Sequence, residues 1–327
     1  MKIAVVVPGL PLPVEGYGGI ELAAETQARE FAERGHDVTV FCNTLPKEEG
    51  GWEPPFEVVR CPREFDPLSH LAELQAFDAV SDWSHFKALR FCRLKNYLAT
   101  AMWTDINAPG RTVYPSSAVR EAFKDPAAPV VPIGIKVSDL GEHDPEGESP
   151  GPWSVLGRIT GYKGVDLSVK VLAERANGNP VEVAGHVGRF GDVYYAMTIE
   201  KICRDRGFAF AANPESLRPF LRRSRGLLHL HRWLESFSIV AAEALCLGVP
   251  ILTTDQGAPQ EWVRATDGGF VVPLDQLEKG IRPPALEEFF AENWKGRRAG
   301  IVKRARDLFD SGRVAAQYER LFERGLG

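Results

Sequence analysis

Two glutamates, Glu235 and Glu243, stand eight positions apart in Glu235-Ser-Phe-Ser-Ile-Val-Ala-Ala-Glu243. At 3.6 residues per turn, eight positions leave the two side chains ~80° apart, so on one continuous helix they would point in different directions. The following Ala244-Leu-Cys-Leu-Gly-Val-Pro250 reads as a helix running into a turn and a strand. The helix is therefore expected to start near Phe237 or Ser238, with Glu235 on the loop before it and Glu243 in its second turn. The N–H groups of Ser238, Ile239 and Val240 would then lack intrahelical acceptors, and the positive helix end favours an anion there. Carboxylates suited to hydroxyls, flanking a phosphate-binding helix end, have the chemistry needed to hold a nucleotide sugar. A capping glutamate and a solvent-facing one would give the same spacing, so other segments have to decide.

The second such segment is Gly157-Arg-Ile-Thr-Gly-Tyr-Lys-Gly164. A strand ends at Gly157, and Arg158 and Lys163 leave it on a short loop that opens a helix. Two cations beside a helix N-terminus suit a diphosphate, Arg through paired bonds and Lys as a point charge. A third is Gly16-Tyr-Gly-Gly-Ile-Glu-Leu22, where Gly18 and Gly19 let backbone approach a phosphate or sugar closely. A dinucleotide fingerprint fails here, because its third glycine is Glu21 and the acidic residue after the second strand is Asn43.

Together these segments resemble the retaining GT-B glycosyltransferases of glycosyltransferase family four. The resemblance rests on Glu-x7-Glu, on Gly-Arg-x4-Lys-Gly, on the Gly-Gly-x-Glu loop and on the Gly35-His-Asp-Val38 strand entry. It implies an α/β protein of two doubly wound Rossmann-like domains facing a central cleft. It implies further that Glu235 holds the transferred sugar, Glu243 the ribose, and Arg158 with Lys163 the departing diphosphate. The activity implied is transfer of a sugar, as a hexosyltransferase, from a nucleoside diphosphate sugar to an acceptor hydroxyl with retention. No two aspartates stand two apart, so the Asp-x-Asp that holds metal in the other common glycosyltransferase fold is missing. Arg158, Lys163 and the helix dipole supply positive charge instead, which fits a transfer without metal or other cofactor. His229-Leu-His231 offers two imidazoles but no third ligand nearby.

The chain also departs from the family. The usual first-domain histidine is absent from Ala101-Met-Trp-Thr-Asp105, which leaves Asp105 or His85 to take over part of its task, or Trp103 to offer only a backbone carbonyl and a stacking face; Asp105 as a cap and His85 as a surface residue are the plain alternatives. Gly-Phe-Gly after the first glutamate is Ser236-Phe-Ser238, where serine can cap the helix. Asn-Gly before the linker is Ile133-Gly134. Rival readings of the fold are a nucleotide-sugar epimerase, a phosphorylase, or a sugar-nucleotide-binding protein without turnover. A nicotinamide oxidoreductase is disfavoured by Glu21 and Asn43.

The elements that position these residues follow from patterning. The 327 residues, 44% hydrophobic and 25% charged, suffice for two cores. A net charge of −5 gives no support to a nucleic-acid partner. Five scattered cysteines without Cys-x-x-Cys argue for a reducing compartment. The apolar opening is too short for a signal peptide, so a cytoplasmic location is expected, with peripheral contact at the inner membrane face left open. Short apolar strands alternate with helices such as 21–34, 165–175 and 193–206 on both sides of a Gly/Pro/acid-rich stretch. The expected division is an acceptor-side domain 1–136, a linker 137–152, a donor domain 153–311, and a final helix 312–327 returning to the first domain. Two basic runs, Lys87–Lys95 and Arg297–Arg306, read as solvated helix faces, the first also suited to a lipid-phosphate acceptor.

Overall fold

The computed structural model describes residues 1–7, 18–43, 53–61, 67–84, 88–102, 111–142, 151–187 and 193–324. The chain forms two units, one of residues 1–136 with 309–327 and one of residues 137–308. His85 and Asp105 lie outside the described residues, as do Trp103 and Lys87.

The first unit is built on β1 (Lys2–Val7), β2 (Asp37–Asn43), β3 (Glu57–Cys61), β4 (Ala79–Asp82), β5 (Tyr97–Thr100) and β6 (Thr112–Val113). Their order is β3-β2-β1-β4-β5-β6, every pairing parallel. The inner strands are buried along nearly their whole length, which is why β1 reads as an unbroken apolar run rather than an alternating one. The Gly19–Glu33 helix lays Ala23, Ala24, Ala28 and Phe31 inward. The final helix, Ser311–Arg324, buries Val314, Ala315, Tyr318 and Phe322, with Phe322 and Phe31 rings 6.0 Å apart. Arg34 grips Glu319 with two bonds of 2.6 and 2.7 Å. Gly134 lies so close to Ser311 that a Cβ would stand 2.9 Å from its Cα, which explains the glycine of Ile133-Gly134.

The second unit holds β7 (Trp153–Leu156), β8 (Val181–Gly185), β9 (Ala209–Ala212), β10 (Gly226–His229), β11 (Ile251–Thr254) and β12 (Gly269–Val272). The order is β12-β11-β10-β7-β8-β9, again all parallel. From β7 the chain builds outward through β8 and β9, then returns to β10 on the other side. The reversal between β7 and β10 is the topological switch point, where doubly wound sheets bind ligands beyond the strand carboxyl ends.

Several expectations are corrected. The basic run around Arg90 is not an α-helix but a 3-10 turn, Ala88–Phe91. Leu89 and Leu94 are both buried, and five α-helical positions would set them ~140° apart, on different faces. The run Arg297–Arg306 is not simply solvated. Arg304 Nε donates to Thr266 O at 2.6 Å, and Arg298 and Arg306 reach Gly248 O and Cys246 O, each at 3.4 Å. These arginines meet carbonyls at the C-terminal ends of two helices, Ile239–Cys246 and Ala258–Thr266, where positive charge is favoured. Val137–Leu140 opens the second unit as a 3-10 turn with Leu140 fully buried, so the expected linker is structured at its start.

Candidate active site

Three loops leave the carboxyl ends of the neighbouring strands β7, β10 and β11. The first carries Arg158 and Lys163, the second Glu235, and the third Gly257. Gly164 has φ +61°, and a Cβ there would collide with Leu230 O, so the first loop lies directly on the second. Gly257, at φ +71°, leaves no room for a Cβ against the Glu235 backbone. The Glu235 carbonyl accepts Ala258 N at 2.8 Å, and the Phe237 carbonyl accepts Trp262 Nε1 at 2.8 Å. Thr253 and Thr254 on β11 donate to His229 O and His231 O at 3.1 and 2.7 Å. The backbone that presents Glu235 is thus held from both neighbouring loops.

Lys163 Nζ pairs with Glu235 Oε2. Burial pushes the Glu235 carboxyl up, but Lys163, His231 and His229 outweigh it and bring it down to about 2. The Tyr162 ring centroid lies 5.6 Å from the Arg158 guanidinium and 5.9 Å from the Lys163 ammonium. The site is therefore a partly shielded ion pair with an aromatic ring and a second cation nearby.

The helix beside it spans Ile239–Cys246, capped by Ser238. Ser238 has φ +68°, a left-handed backbone that glycine adopts at little cost. This accounts for the glycine customary at this position. Serine here accepts Ala241 N at 3.4 Å and meets His229 Nε2 at 3.1 Å. The first intrahelical bond runs from Ala242 N to Ser238 O, so the N–H groups of Ile239 and Val240 precede the helical ladder at half-buried positions. Glu243 is buried in the second turn, where its Oε1 accepts Arg218 Nε at 3.0 Å. Burial raises its carboxyl, and Arg218 only partly opposes the rise.

His229, at the end of β10, and His231, just beyond it, do not converge on a common point. His229 turns Nε2 to Ser238 Oγ, while both ring nitrogens of His231 face backbone oxygens, of His229 and of Gln256. Burial holds both below the ordinary histidine range.

The second unit thus brings Lys163 onto Glu235, with Arg158 beside Tyr162, next to the helix start at Ser238, Ile239 and Val240; Glu243 lies further along that helix, paired with Arg218. Gly18 and Gly19 belong to the first unit, where Gly18 caps the Gly19–Glu33 helix and accepts Leu22 N at 2.9 Å. Sequence reasoning missed Arg218, which no local spacing marks. It also missed Arg232, whose place three residues before Glu235 on the same loop was an available signal.

Residues 153–282 match the family model described as glycosyl transferases group 1. No curated protein matches the chain in sequence. The fold is that of GT-B glycosyltransferases. AviGT4, a glycosyltransferase involved in avilamycin A biosynthesis, aligns at TM-score 0.74 and 19% identity, over 99% of this chain and 98% of that one. Sucrose-phosphate synthase from Thermosynechococcus elongatus aligns at TM-score 0.74 and 16% identity, over 99% and 98%. HepE from Anabaena, solved in complex with UDP and glucose, aligns at TM-score 0.68 and 16% identity, over 99% of both chains.

Proposed function

We propose that this protein is a glycosyltransferase that moves a sugar from a nucleoside diphosphate sugar to an acceptor hydroxyl. The observation that carries the reading is the meeting of Lys163 and Glu235 at the switch point of the second sheet, beside the N-terminus of the Ile239–Cys246 helix. Positive charge fixed in a partly buried site stabilises a departing diphosphate without reorganisation at the moment of reaction. Arg158, Lys163 and the N–H groups of Ser238, Ile239 and Val240 take the diphosphate. Glu235 takes hydroxyls of the transferred sugar, and Glu243 those of the ribose.

The likeness to family four extends the proposal to a retaining, metal-independent hexosyltransferase whose leaving phosphate takes the acceptor proton. The acceptor is a saccharide, a small molecule or a lipid-linked glycan, the last requiring peripheral membrane contact in the cytoplasm. Among the described residues no helix is long and apolar enough to cross a membrane.

Thermal unfolding in the presence of UDP, GDP, ADP and their glucose conjugates identifies the donor, since binding raises the melting temperature by mass action. Product analysis with that donor then separates transfer from its rivals. A new glycoside supports the proposal. An epimerised sugar nucleotide, or turnover only with added phosphate, assigns another reaction of this fold. Binding with neither transfer nor donor hydrolysis makes the protein a sugar-nucleotide binder.

A further inference from the structure

We infer that Arg232 is a positioning residue that locks the Lys163 loop against the Glu235 loop; the inference rests on the proposed diphosphate site. Its backbone N–H donates to Tyr162 O at 2.8 Å. Its guanidinium donates from Nη1 to Gly161 O at 2.9 Å and to Asp166 Oδ1 at 2.7 Å, and from Nη2 to Asp166 Oδ2 at 2.7 Å. Nε donates to Glu278 Oε1 at 3.0 Å. These anchors bracket Lys163 on both sides, at Gly161 and at Asp166.

The bonding separates Arg232 from the phosphate-binding cations. Every guanidinium nitrogen is engaged, and two carboxylates, Asp166 and Glu278, already balance the charge. Asp166 is itself fixed, because Tyr195 OH donates to its Oδ1 at 2.7 Å while accepting its backbone N–H at 2.9 Å. Arg232 stands on the Glu235 loop and holds the Lys163 loop, so it determines how far the ammonium's anchor lies from the carboxylate. A catalytic cation on a long flexible stem depends on such placement of its Cα. The task calls for a planar fork, which arginine has and lysine lacks.

Inorganic pyrophosphate is the probe, because it engages a diphosphate site without needing a particular base. Arg232→Lys keeps the charge and removes the fork. We expect a folded protein in which amide hydrogen exchange across residues 161–166 quickens about tenfold while β8 is unchanged. Its pyrophosphate affinity should fall about tenfold by calorimetry. Asp166→Asn should move both readouts the same way and covers the case in which the Arg232 variant does not fold. Wild-type exchange and affinity in the lysine variant would overturn the inference, as would exchange that quickens uniformly over the whole second unit. If the wild type itself fails to bind pyrophosphate, the diphosphate reading of the site falls, and the exchange measurement still decides whether Arg232 orders the loop.

Discussion

Lys163 and Glu235 form an ion pair between loops that follow two neighbouring strands, β7 and β10. A diphosphate arriving at Lys163 must share or take the ammonium from Glu235, and the carboxylate so released is the group proposed to meet sugar hydroxyls. Under the proposed roles, phosphate and sugar recognition would be coupled. A nucleoside diphosphate without its sugar leaves Glu235 with less compensation for its burial. The sugar nucleotide offers the carboxylate new hydrogen-bond donors in return.

Glu235 gives the protein a distinctive acid response. Its carboxyl lies below its ordinary 4.5, at about 2, so the folded state binds this proton less readily than the unfolded state. The stability it contributes is present above about pH 4.5 and is lost as pH falls through about 2. The shift corresponds to on the order of 3 kcal/mol. Glu235→Gln should flatten the stability profile across that interval, measured by urea unfolding at successive pH values. An unchanged slope would place the compensating charge elsewhere.

Glu243 should behave in the opposite sense. Burial raises its carboxyl, so the folded state holds this proton more tightly, and stability falls as pH rises through the raised value. Glu243→Gln is expected to melt no lower than the wild type at neutral pH while binding the nucleoside diphosphate at least ~10-fold more weakly, a stability gained at the expense of function. Calorimetric titration and thermal unfolding of the same preparation check both halves.

Ser238 combines a costly backbone with a useful side chain. Ser238→Ala keeps the left-handed φ of +68° and removes the cap, so it should cost about 1 kcal/mol or more. Ser238→Gly loses the cap but relieves the backbone, and should lie within a few tenths of a kcal/mol of the wild type. Denaturant midpoints order the three proteins, and an alanine variant as stable as glycine would contradict this balance.

The last helix is tied to the first by Glu319, which accepts two bonds from Arg34 and one from His36 at 2.9 Å. Glu319→Ala should quicken amide exchange in residues 311–324 and lower stability by about 1–2 kcal/mol. Exchange confined to its wild-type rate would show that the apolar face alone holds the helix.

Much of this was legible in the sequence, for identifiable reasons. Helices Val165–Arg175 and Val193–Arg206 fall where apolar periodicity put them, because that periodicity is what burial against a sheet demands. Glu235, Lys163 and the helix start at Ser238–Ile239 were legible because each sits where a strand gives way to a loop or helix. Edge strands β9 and β12, half-exposed and four residues each, carry no comparable pattern. Contacts between side chains far apart in the chain were equally hidden. Arg218 meets Glu243 across 25 positions and Arg232 meets Asp166 across 66, and no local rule links either pair. The arginines of the Trp294–Phe309 helix looked like surface charge because their carbonyl partners exist only once the neighbouring helices end beside them.

The most direct test of the central claim is a crystal structure with whichever of UDP, GDP or ADP stabilises the protein most, bound as its sugar conjugate. The diphosphate should lie at Lys163 Nζ and the N–H groups of Ile239 and Val240, with Glu235 on sugar hydroxyls and Glu243 on the ribose. A donor bound away from these groups, with the Lys163–Glu235 pair intact, would contradict it.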